Sequence, residues 1–149
     1  MRLLTLIEAG HRFHDLQVPQ GDQMKAWLEQ TFGDEANYGG EPGDGNYAST
    51  LGGGGDWAIC TTWAYMVRDA LPDRTKLYGF YIGDNPSAHH IADICDGHDF
   101  AVVDDRFIVD GWAKNVEGIA NQSVFDLKDP ADAKIILGLY GNPKSWTPG

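Results

Sequence analysis

The sequence contains few cysteines, few basic residues and no long apolar runs. Cys60 and Cys95 are the two cysteines among 149 residues, too few for the disulfide framework of a small secreted protein. Eleven Lys and Arg stand against 22 Asp and Glu, and the formal net charge of -11 repels phosphate backbones and anionic lipids. We therefore expect no nucleic-acid partner, no membrane partner and no disulfide between the two thiols.

The apolar segments are too short for a membrane protein. Runs such as residues 135–137 fall far below the roughly 20 residues that a membrane span needs. The apolar residues 3–7 are not followed by a small-residue cleavage site, so they do not indicate a signal peptide. We expect one soluble domain over residues 1–149, without a cofactor. It would be cytoplasmic unless a specialised secretion system delivers it elsewhere.

Helical patterns come first along the chain and strand patterns follow. Apolar periodicity predicts a helix over residues 23–32, with Asp22 as its N-cap, and a second over about 57–71, with Asp56 as its N-cap. Branched and aromatic residues predict strands over residues 76–82, 91–95, 100–103, 107–109 and 134–140. This order predicts an α+β fold in which the buried second helix packs on an antiparallel sheet.

Cys60 stands where a thiol can be activated. It follows four glycines, residues 52–55, and lies in the first turn of the second predicted helix. The unpaired amides and the dipole at a helix start favour a negative sulfur, and a nearby imidazolium adds to this effect. A buried structural cysteine is the more common outcome for such a position, because free cysteines are among the most buried residues. A nucleophile therefore needs further support from the sequence.

A cysteine nucleophile needs a histidine within reach and a third group that orients it. His98 begins the hairpin-like unit GHDFAVVDDRFIVDGW, in which Asp110 ends the second strand. A loop of residues 103–105 sets His98 directly opposite Asp110, and a loop of 104–106 makes them diagonal neighbours on one face. A two-residue loop, 104–105, places them on opposite faces. Asp110 closes an apolar segment, so it needs a buried partner, and His98 would be one.

The order of Cys60 on a buried helix, His98 on a later strand and Asp110 after the next strand resembles the papain-like superfamily. This superfamily includes papain proteases, transglutaminases, deamidating bacterial toxins and NlpC-type cell-wall peptidases. The segment CTTWAYMVRDALPDRT resembles the NlpC-type nucleophile helix, and the hairpin-like unit is similar to the His-strand-turn-strand unit of the superfamily. The resemblance covers about residues 47–112 and implies a papain-like α+β fold.

The expected activity is hydrolysis of an amide or peptide bond through a thioester. Cys60 would attack the carbonyl, His98 would accept its proton and later protonate the leaving amine, and Asp110 would hold the imidazole in the right tautomer. The expected partner is a protein or peptide substrate. The same three groups also serve glutamine deamidases and transglutaminase-type toxins. For an injected effector of that kind we expect a cognate inhibitor or immunity protein.

An oxyanion donor is also required, because acyl transfer develops negative charge on the carbonyl oxygen. The Cys60 amide is the natural first donor. Tyr47 stands thirteen residues upstream, where the resemblance to NlpC-type enzymes implies a tyrosine that assists the nucleophile. A loop aromatic that anchors the glycine-rich segment explains Tyr47 equally well.

Two other readings stay open. His89, His90, Cys95 and His98 lie close in sequence and offer the nitrogen and sulfur ligands that zinc accepts, although adjacent histidines in a strand point to opposite faces. Alternatively, the protein is an acidic binding module with a structural Cys60. Such a module would cover a basic partner with carboxylates and exposed tryptophans such as Trp112 and Trp146.

Overall fold

In the described part of the chain, two helices precede the first strand, and the rest consists of antiparallel strands with short helices between most of them. The computed structural model describes residues 18–33, 59–115 and 119–149. The helices in these ranges are α1 (Met24–Phe32), α2 (Ile59–Ala70), α3 (His89–Ala92), α4 (Gly111–Asn115) and α5 (Pro130–Tyr140). The strands are β1 (Thr75–Tyr81), β2 (Gly97–Val103), β3 (Phe107–Val109), β4 (Val124–Asp126) and β5 (Thr147–Pro148).

The five strands form one sheet in the order β4-β3-β2-β1-β5, and every neighbouring pair is antiparallel. β2 and β3 are largely buried, as expected for strands in the middle of a covered sheet. The arrangement of helices and antiparallel sheet confirms the expected α+β class. The central strand β2 begins with Gly97 and His98, so the sheet itself fixes the position of that histidine.

Helix α2 packs on β2 and β1, as the apolar pattern predicts. Trp63, Ala64, Val67 and Ala70 are buried on the face that meets the sheet. Gly111 lies against Trp63 so closely that an added Cβ would stand 2.4 Å from the indole ring. The tight contact fixes α2 against the turn that follows β3. The expected cap Asp56 lies outside the described residues.

Two of the five predicted strands are wrong. Residues 91–95 belong to α3 and the turn after it, and residues 134–140 form most of α5. Helix α5 is started by Asp129, whose side chain accepts a hydrogen bond from the Ala131 amide at 2.9 Å, and by Pro130 in the first turn. These start signals outweigh the apolar run that suggested a strand.

The first predicted helix is present, but Asp22 is not its N-cap. Residues Gly21–Gln23 form a 3-10 turn before α1, and no side-chain cap hydrogen bond is made there. The Asp22 carboxylate instead accepts a hydrogen bond from Arg106 at 2.8 Å. The expected cap fails because Asp22 lies inside the 3-10 turn, where its carboxylate binds the guanidinium of Arg106 from the β2–β3 loop.

None of the helices within the described ranges combines the length and apolar character needed to cross a bilayer.

Candidate active site

The β2–β3 hairpin brings His98 and Asp110 together. Val103 pairs with Phe107 and Ala101 with Val109, so the loop is residues 104–106 and Asp110 is a diagonal neighbour of His98. His98 Nε2 lies 2.6 Å from Asp110 Oδ2, and both side chains are almost completely buried. The predicted contact is therefore present, in one of the two registers that allow it. The turn is tightened by Asp104 and Asp105, which both adopt positive φ angles.

Asp110 is held by more than the histidine. The Tyr140 hydroxyl donates a hydrogen bond to Asp110 Oδ2 at 2.7 Å, and the Ala113 amide lies 3.4 Å from Oδ1. The second contact places Asp110 at the start of α4, where a carboxylate commonly accepts a free helix amide. Burial and the Asp110 charge raise the pKa of Tyr140, so its hydroxyl keeps the proton that it donates. Asp110 is thus fixed from three sides.

The position of Tyr140 is set at the end of α5. Asn85 donates from its side-chain amide to the Tyr140 carbonyl at 2.8 Å and accepts from the Asn142 amide at 3.0 Å. Gly141 has φ of +63°, and an added Cβ would lie 2.0 Å from the Asn85 amide oxygen. Glycine at this position lets Asn85 close the helix end. The hydroxyl of Tyr140 is then directed at Asp110.

Cys60 and His98 line one cavity. His98 Nε2 is bonded to Asp110, and Nδ1 has no hydrogen-bond partner in the described part of the chain. Burial lowers the pKa of His98, but the Asp110 carboxylate and the Cys60 thiol raise it to about 10. The ring therefore carries a proton at neutral pH.

A second polar contact ties the start of α2 to the sheet. Thr61 donates a hydrogen bond from its hydroxyl to Asp99 Oδ2 at 2.5 Å. Thr61 follows Cys60 and Asp99 follows His98, so the contact joins the two segments that carry the thiol and the imidazole. Asp99 sits opposite Gly79 of β1, and an added Cβ there would overlap its carboxylate at 2.1 Å. The contact joins the start of α2 to β2 beside the histidine.

A cavity of about 620 Å³, called the Cys60 cavity below, opens beside these groups. Its size is in the range that holds a drug-sized ligand or a short peptide segment. Trp112 forms one wall, with its ring 4.6 Å from the His98 ring between centroids. The lining residues are Cys60, Thr61, Gly79, Phe80, Tyr81, Ile94, Cys95, Gly97, His98, Asp99, Trp112, Thr147, Pro148 and Gly149.

The structure therefore brings together three of the four residues that the sequence singles out. Cys60 and His98 line the cavity, and Asp110 binds His98 from behind it. Tyr47 lies outside the described residues. Sequence reasoning missed Tyr140 because residues 134–140 were read as a strand. It missed the Thr61–Asp99 contact because no sequence pattern sets either residue apart. The pairing of Phe80 with His98 could have been predicted only with the register between β1 and β2 known.

The zinc-site hypothesis is not supported by the positions of its four candidate ligands. His89 and His90 lie on the short helix α3, with ring centroids 4.2 Å apart, and not on opposite faces of a strand. His98 is committed to Asp110, and the Cys95 thiol donates to the Gly97 carbonyl at 3.0 Å. Across the described ranges, no three His, Cys, Asp or Glu side chains are grouped so that they could hold a metal ion.

Neither of the two tryptophans named for the binding module is a fully exposed ring. Trp112 is 4% exposed and packs on His98, so it is wrong to count it as an exposed tryptophan. Trp146 is half-buried, stacks edge-on against Phe100 and donates from its indole nitrogen to the Tyr140 carbonyl at 2.8 Å. Both rings stabilise the region behind the histidine.

A comparison of the chain with models of known protein families, with curated proteins and with solved structures finds no significant match.

Proposed function

We propose that the protein is a thiol-dependent hydrolase that cleaves an amide or peptide bond. The observation that carries this proposal is the buried imidazole of His98, which binds Asp110 with Nε2, has no partner for Nδ1 among the described residues, and lines the same cavity as Cys60. A structural cysteine needs no buried cation beside it. A nucleophile does, because the thiolate is the reactive form and the imidazolium is its proton source.

The reaction follows from the positions of these groups. The Cys60 thiolate attacks the substrate carbonyl, and the negative charge on oxygen is stabilised by the Cys60 amide at the start of α2. The His98 imidazolium gives its proton to the leaving amine, and a thioester remains on Cys60. The neutral ring then takes a proton from water, which attacks the thioester and releases the acid. Asp110 keeps the ring oriented throughout.

The order of the elements supports placing this activity on a papain-like architecture. The proposed nucleophile lies at the start of a helix that packs on an antiparallel sheet, the histidine lies on β2, and the carboxylate directly follows β3. A fold does not determine a reaction, so the proposal depends on the three side chains and the cavity.

The products of a defined peptide mixture test the proposal. We expect wild-type protein to generate new peptide termini, with oxygen from labelled water in each new carboxyl group, as read by mass spectrometry. A glutamine deamidase would leave the peptides uncut and raise their mass by about 1 Da in unlabelled water, and a transglutaminase would join them. Uncut peptides with either change, or no change at all, would contradict amide-bond cleavage between residues.

A further inference from the structure

One side of the Cys60 cavity presents a carboxylate and an aromatic ring, each opposite a glycine. Asp99 of β2 pairs with Gly79 of β1. Two residues further along β1, Tyr81 pairs with Gly97. Paired residues lie on the same face of a sheet, and so do residues two apart along a strand. All four line the cavity, and the Asp99 and Tyr81 side chains are diagonal neighbours there.

The two glycines leave the carboxylate and the ring uncovered by the paired strand. A Cβ at Gly79 would overlap the Asp99 carboxylate, and a Cβ at Gly97 would lie 3.4 Å from the Tyr81 ring. Asp99 is half-buried, and Tyr81 is 74% exposed. Both groups are therefore accessible to a ligand in the cavity.

The Asp99 carboxylate has no positive charge paired with it among the described residues. Its side chain makes one hydrogen bond there, from the Thr61 hydroxyl. The lining of the cavity in these ranges includes no Lys or Arg, and the His98 ring is paired with Asp110. Two other buried carboxylates each bind a Lys or Arg side chain: Asp126 and Asp132. Asp99 thus brings an uncompensated negative charge to the cavity.

We propose that the substrate carries a basic residue, arginine or lysine, near the cleaved bond, and that Asp99 and the Tyr81 ring bind its cationic end. This inference rests on the proposed function and names its substrate class. The carboxylate accepts charge-assisted hydrogen bonds from the cation, and the face of the ring attracts it. An acidic side chain is repelled by Asp99. The net charge of -11 adds a long-range attraction for a basic substrate.

A pair of peptides that differ in one side chain tests the inference. One peptide has arginine near the cleaved bond, and the other has citrulline, which is nearly the same shape but neutral. We expect wild-type kcat/KM to be about 10- to 100-fold higher for the arginine peptide, the worth of hydrogen bonds to a charged group. Asp99→Asn should lose most of this preference. Asparagine keeps an oxygen that accepts from Thr61, so the contact with α2 is retained.

Thr61→Val is the matched control for Asp99→Asn. It removes the hydrogen bond between the two residues and leaves the carboxylate in place. The preference for arginine over citrulline should therefore stay at the wild-type ratio. If both variants lose the preference equally, Asp99 acts by holding α2 and the inference is wrong. It is also wrong if wild-type protein cleaves both peptides with the same kcat/KM.

Charged thiol reagents separate the inference from the proposed function, because they need no turnover. A methanethiosulfonate with a trimethylammonium group and one with a sulfonate group both modify Cys60, and mass spectrometry of the Cys60 peptide gives each rate. The ratio of the cationic to the anionic rate should fall by about 3- to 10-fold in Asp99→Asn, the effect of one nearby charge in a wet cavity. It should not change in Thr61→Val.

The two experiments fail in different ways. If peptides are cleaved without a preference for arginine, the inference is wrong and the hydrolase stands. If no peptide is cleaved but the reagent ratio falls as expected, the hydrolase is wrong and the cation site at Asp99 stands. A reagent ratio that is equal in wild type and Asp99→Asn would show that the cavity does not select cations.

Discussion

Replacing Cys60 with serine is expected to lower peptide hydrolysis by about 10⁴-fold or more, as removal of a nucleophile does in other hydrolases. The hydroxyl is far less acidic than the thiol, so the His98 imidazolium does not leave it ionised. Cys60 is only half-buried, and serine is nearly the same size. The free energy of unfolding should change by less than about 0.5 kcal/mol. Initial rates with a cleaved peptide, together with urea unfolding, measure both quantities.

Cys95→Ser is the matched control for this variant. Cys95 lines the same cavity, and its thiol donates to the Gly97 carbonyl, a bond that a serine hydroxyl can keep. We expect hydrolysis to stay close to the wild-type rate. A loss in Cys95→Ser with full activity in Cys60→Ser would reverse the assignment of the nucleophile.

Replacing Asp110 with asparagine is expected to lower kcat by about 10³- to 10⁴-fold, the effect of an amide at the orienting position of a triad. Asparagine keeps the shape but removes the charge that raises the pKa of His98 to about 10. Burial then lowers the pKa of the ring, and the neutral imidazole no longer supplies a proton. Fold stability should fall by about 1–3 kcal/mol at neutral pH, because the bonds from His98 and Tyr140 weaken.

The stability difference should depend on pH in a defined direction. A histidine with a raised pKa stabilises the folded state fully below its ordinary value of 6.5, and this stabilisation is lost as the pH rises through about 10. The advantage of wild type over Asp110→Asn should therefore shrink between these two pH values. If the difference in unfolding free energy between wild type and Asp110→Asn stayed constant across this pH range, Asp110 would not be what keeps His98 protonated.

Asp126→Asn controls for the loss of a buried carboxylate as such. Asp126, at the end of β4, is also buried, but it accepts a hydrogen bond from Arg106 at 2.8 Å, whereas Asp110 binds His98. We expect this variant to lose stability and to keep kcat. Equal losses of kcat in both variants would mean that Asp110 acts through stability and not through His98.

The contact between His98 and Asp110 could be predicted from the sequence, but the groups that hold it could not. Cys60, His98 and Asp110 follow from local rules: a thiol near a helix start, and the alternation of a hairpin whose loop has few options. The register that occurs, with loop residues 104–106, was one of three alternatives. Pairing energies between strands, which depend on burial on both faces, decide among them.

The wrong predictions concern residues whose structure depends on distant partners. Residues 134–140 have the apolar run of a strand, yet Asp129 and Pro130 start a helix, and these signals lie outside the run. The role of Tyr140 then depends on Asn85, 55 residues away in sequence. Asp22 likewise leaves its expected cap for Arg106 across the fold. Such contacts are set by tertiary packing, which no local pattern encodes.

The central claim is that Cys60 is activated by His98, and the rate of alkylation by iodoacetamide measures it most directly. Ordinary thiols react about tenfold more slowly for each pH unit below their pKa near 8.5. We predict that Cys60 in the folded protein reacts much faster than Cys95 well below pH 8, and that His98→Ala abolishes this advantage. A Cys60 that resists alkylation until the protein unfolds, or reacts in step with Cys95 at every pH, would contradict the claim.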